Sequence, residues 1–84
     1  MKQKLYYVWR ETEEDRRYFC IIQRLDSKKR VVEAHTFSFC PSKLSCHFSD
    51  YNALPAKETK EIRYSDFIAA YNAYLQTIQT QITL

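Results

Sequence analysis

Glycine is absent from all 84 residues of this chain, where average usage of about 7% would supply roughly six. Gly-rich phosphate cradles, dinucleotide fingerprints and the G-x-S-x-G nucleophile elbow need backbone conformations or close approaches that a Cβ forbids. All three are therefore excluded. Turns must be made from Asp, Ser, Lys and Pro, which disfavours two-residue hairpins of types I′ and II′ and points to loops of three to five residues built on type I turns.

The length fits one domain. A fold of this size hides only about 60–65% of the surface its unfolded chain exposes, so the core has to be dense. Seven Tyr, five Phe and one Trp supply the material, each ring able to bury about 150–250 Å². The formal net charge is +3, with Lys and Arg interleaved among Asp and Glu, a pattern that favours solubility over a polyanion partner. Cys20, Cys40 and Cys46 are an odd number without framework spacing. Together with an N-terminal stretch lacking a continuous apolar run, they lead us to expect a reducing cytoplasm. No stretch approaches 18 apolar residues, so no membrane span is expected.

Aromatic and β-branched runs predict strands at 4–11, 17–25, 30–39 and 43–49. If Asp26 faces Arg30 across the second turn, Leu25 meets Val31, Ile21 meets His35 and Phe19 meets Phe37. A first hairpin centred near residue 14 places Trp9 opposite Phe19 and Tyr7 opposite Ile21. Leu5 lies nearby, and Leu44, Cys46 and Phe48 fall on the same side. Residues 50–61 read as a polar connector, with a short edge strand at 62–64. Ser65 is the candidate N-cap of a helix over 66–82, where Phe67, Tyr71, Leu75, Ile78 and Ile82 form an apolar stripe flanked by Ile68 and Tyr74. The expected fold class is α+β: an antiparallel β-meander of about four strands followed by one C-terminal helix packed on one sheet face. On this register the helix covers Trp9, Phe19, Ile21, Phe37 and Phe48.

His35, Cys40, Cys46 and His47 are the ligand types of a zinc site, but Cys40 and Cys46 are six apart, and Cys46 and His47 should point to opposite sides of one strand. A Cys–His nucleophile needs an electropositive setting, often a helix N-terminus, and no cysteine stands immediately before the predicted helix. Glu11, Glu13, Glu14 and Asp15 at a hairpin tip read as a solvated turn balanced by Arg16 and Arg17. No catalytic residue, metal site or cofactor is expected.

Two surfaces invite a partner instead. The sheet face carrying Tyr6, Val8, Arg10, Tyr18, Cys20, Ile22, Arg24, Val32, Ala34 and Thr36 is too apolar to meet water alone. The outer helix face, including Ala73, Gln76, Thr77 and Thr80, has no charged side chain after Asp66. The leading expectation is a non-catalytic protein-interaction domain, most simply a homodimer. The alternative is a single-stranded nucleic-acid-binding accessory protein that stacks bases on Tyr6 and Tyr18 and holds phosphates with Arg10 and Arg24.

Overall fold

The computed structural model describes residues 1–10, 15–51 and 59–83. Its elements are β1 (Lys2–Arg10), β2 (Arg16–Leu25), β3 (Val31–Cys40), a 3₁₀ turn (Pro41–Lys43), β4 (Ser45–Ser49), β5 (Lys60–Glu61) and α1 (Tyr64–Thr83). The strands form one antiparallel sheet in the order β4-β3-β2-β1-β5, with α1 on one face. This is the expected α+β meander with a single C-terminal helix. The edge strand lies at Lys60–Glu61 instead of 62–64, and pairs with Tyr7 and Val8 of β1. Between β4 and β5 the chain passes from one edge of the sheet to the other. Residues 52–58 of the predicted connector, and Glu11, Glu13 and Glu14 of the predicted carboxylate tip, lie outside the described residues.

The helix sits on the opposite face from the one expected, and one residue accounts for the correction. The second turn begins as the sequence suggests: the Asp26 amide donates to the Arg30 carbonyl at 2.9 Å and Leu25 pairs with Val31. The next pair is Arg24 with Glu33, so Val32 is an extra residue in β3, a bulge. Every later pair is displaced by one. Ile22 meets His35, Cys20 meets Phe37 and Tyr18 meets Phe39. A one-residue slip turns a whole strand over. It moves Phe37 and Phe39 onto the side of Tyr6, Tyr18, Cys20 and Ile22, making that side the aromatic one. In the first hairpin Tyr7 meets Phe19 and Trp9 meets Arg17, two residues from the expected pairing. An even slip leaves each side chain on its face.

The core beneath α1 centres on Phe39, which is 0% exposed. Its ring stacks on Tyr18 at 5.3 Å and on Tyr74 at 5.0 Å, and meets Phe67 and Tyr71 edge-on at 5.5 and 5.6 Å. On the helix the buried residues are Phe67 and Tyr74, with Tyr71, Ala70 and Ile78 packed beside them. The stripe is therefore rotated toward Tyr74, and Leu75, expected in the core, is exposed. The helix also begins earlier than expected: the Arg63 carbonyl accepts the amides of Asp66 and Phe67 at 3.0 and 3.1 Å, which places Ser65 inside the first turn.

The second face is packed as well. Phe19, Ile21, Leu25, Gln23, Thr36 and Ser38 are buried there, with Leu5, Tyr7 and Trp9 half-buried. Its polar groups are tied together. Gln3 donates to Gln23 at 2.6 Å, Arg17 donates to the hydroxyls of Ser38 and Ser45 at 3.2 and 2.9 Å, and Thr36 donates to the Tyr51 carbonyl at 2.5 Å. Without glycine, two turns among the described residues place other residue types in the left-handed region: Lys29 at φ 63° and Leu44 at φ 50°. Leu44 consequently precedes β4 in an exposed turn and does not join Cys46 and Phe48 in the strand.

Candidate functional site

The sheet residues expected to need a partner as cover lie beneath or beside the helix. Tyr6 sets its ring against Phe67 at 5.0 Å and Tyr64 at 5.4 Å, and burial raises its phenol pKa above the ordinary value. Tyr18 gives a face to Phe39, and Val8 is half-buried beside Ile62, Ala69 and Ala70. The two arginines are far apart. Arg10 pairs with Arg16 at one end of the first hairpin, whereas Arg24 pairs with Lys2 at the other. Eight residues of strand separate Arg16 from Arg24, about 27 Å at about 3.4 Å per residue. Arg24 is also held by Glu33 at 2.9 Å, and Arg30 by Asp26 at 3.0 Å. A continuous phosphate-tracking patch would need these cations side by side.

The helix surface is open. Ala73, Gln76, Thr77 and Thr80 are all exposed. Thr77, Thr80 and Thr83 donate their hydroxyls to the carbonyls four residues earlier, Ala73, Gln76 and Gln79, at 3.0, 2.9 and 2.9 Å. With its proton turned back on the helix, each threonine makes little demand on an external acceptor. Beside them Leu75 is 42% and Ile82 75% exposed. Reading from the stripe alone placed both in the core.

The cysteines and histidines do not converge. Cys20 is buried, and that burial raises its thiol pKa, which keeps it protonated. Buried Cys40 places Sγ 3.4 Å from the Ser42 hydroxyl, and Ser42 donates in turn to Asp15. Burial first, and the neighbouring Cys46 side chain second, raise the phenol pKa of Tyr74. Register places Cys46 opposite Phe39 and His47 opposite Ser38, on opposite sides of β4. Among the described residues no group of three or more His, Cys, Asp or Glu could hold a metal ion.

His35 has a different role. Its Nε2 lies 3.0 Å from Glu33 and its Nδ1 3.1 Å from Asp50, so the doubly protonated ring joins β3 to the residue following β4. Hydrogen bonds to Glu33 and then to Asp50 raise its pKa above 6.5. A raised folded-state pKa gives a stability contribution that is complete below the unfolded value and is lost as pH rises through the folded one. We expect the His35 midpoint, followed by NMR, to lie above 6.5 and to fall in both Glu33→Gln and Asp50→Asn. A midpoint unmoved by both substitutions would refute the bridge.

Comparison of the chain with protein-family models, with curated proteins and with solved structures finds no match.

Proposed function

We propose that this chain is a non-catalytic protein-interaction domain that self-associates through the outer and C-terminal surface of α1. The observation that carries the reading is the charge distribution along the chain. All thirteen Lys and Arg and all ten Asp and Glu lie within residues 1–66. The exposed helix beyond them offers Leu75, Ile82, alanines, and threonines whose hydroxyls are already satisfied. Two-fold interfaces bring a patch against its own copy, so an ionised group near the axis meets its like. A neutral, small-residue surface avoids that repulsion and leaves no ion to desolvate. The three free cysteines agree with work in a reducing cytoplasm. No helix among the described residues is long and apolar enough to cross a membrane.

The test is sedimentation velocity at micromolar concentration on the parent and on Ala73→Glu, Gln76→Lys and Ile82→Glu. We expect a dimeric parent and monomeric, fully folded variants, because an unpaired charge in a seam costs several kcal/mol against the roughly 8 kcal/mol that a micromolar dimer represents. A parent that is monomeric under these conditions would sink the self-association reading. The nucleic-acid alternative has lost support, because Tyr6 and Tyr18 spend their rings on Phe67, Tyr64 and Phe39.

A further inference from the structure

The N-terminal half of α1 does not close fully onto the sheet. Between Tyr64 and Ile68 on the helix and Lys4, Ile22, Phe37 and Phe48 on the strands lies a groove of about 310 Å³, floored by Cys20 and Tyr6. This volume is at the lower end of the range that holds small molecules. Its walls are rings and aliphatic chains: Phe37 meets Phe48 at 5.0 Å and Tyr71 edge-on at 5.8 Å, and Phe48 is 69% exposed at the mouth. Burial keeps the Cys20 thiol and the Tyr6 phenol neutral.

Among the described residues Lys4 is therefore the one charged side chain of the lining. It stands across from Ile22 in the ladder, and among the described residues it has no carboxylate partner. An apolar slot with a single cation at its rim matches one chemistry: an apolar body to fill the slot, and one negative charge to meet the ammonium without leaving either ion stranded.

We propose that this groove binds a small apolar monocarboxylate, with the hydrocarbon part between Ile68, Phe37 and Phe48 and the carboxylate on Lys4. The groove lies at the opposite end of α1 from the association surface, so the proposal does not rest on that reading. The probes are octanoate, octanol and octylamine, titrated into the full chain and followed by two-dimensional amide NMR.

Octanoate should shift the amides of Ile22, Phe37 and Ile68 and bind about tenfold more tightly than octanol, the size of effect expected from one charge-assisted contact. Octylamine should bind more weakly than octanol. Lys4→Met should reduce octanoate to the level of octanol and leave octanol unchanged, while Ile68→Trp, which fills the slot, should abolish binding of all three with the rest of the spectrum preserved. Binding of octanol equal to that of octanoate, an octanoate affinity insensitive to Lys4→Met, or no shift at the groove amides would each overturn the proposal.

Discussion

Phe39→Ala is expected to remove about 3–5 kcal/mol of stability, a large share of the roughly 5–15 kcal/mol that holds a typical domain. The ring is fully buried and lies within 6 Å of five other rings, those of Tyr18, Phe37, Phe67, Tyr71 and Tyr74. The rings come from β2, β3 and the helix, which therefore cannot collapse into the void without breaking several ring pairs at once, and the cavity term adds to the lost transfer energy. Phe48→Ala is the control. That ring is 69% exposed and touches only the rim of the same cluster, so its loss should cost less than about 1 kcal/mol. Urea titrations should show a lower midpoint for Phe39→Ala with the slope unchanged. Equal losses from the two substitutions would show that Phe39 is not the centre of the core.

Ile21→Ala should cost about 2–4 kcal/mol, by a separate route. Ile21 is 1% exposed, yet it faces away from α1 and sits opposite Thr36 on the second face. The sheet thus separates two packed layers. A double variant with Phe39→Ala should be additive within about 0.5 kcal/mol, as substitutions without shared partners usually are. Had the helix covered the Ile21 face together with Phe37, as alternation without a bulge implies, residues of one core would couple by up to about 3 kcal/mol. The double-mutant cycle therefore tests which face carries the helix.

The elements were legible because each announces itself locally. Aromatic and β-branched runs mark the strands, and three- and four-residue spacing marks α1. What the sequence concealed is parity. Val31 and Val32 are neighbouring, chemically equivalent and both exposed, so the apolar pattern reads the same whether β3 runs straight or carries its bulge. Only the Arg24–Glu33 pairing, a contact across strands, reveals the extra residue. For the same reason the helix was not expected to be what covers the Tyr6/Tyr18 surface. The helix surface at Ala73, Gln76, Thr77 and Thr80 depended only on spacing along one element, and the structure leaves it exposed as expected.

The glycine-free turns bear on the state that the fold replaces. Lys29 and Leu44 adopt a backbone shape that their side chains disfavour, so neither turn would persist in an isolated peptide of the same sequence. Contacts distant in the chain impose the second of them: Ser42 and Lys43 both reach Asp15, while the Arg17 guanidinium holds Ser45. In exchange, a denatured chain with a Cβ at every residue samples fewer conformations than one sprinkled with glycine, and has less disorder to surrender when it folds. For a chain this short, that stiffness of the denatured ensemble is a source of stability independent of any contact in the native structure.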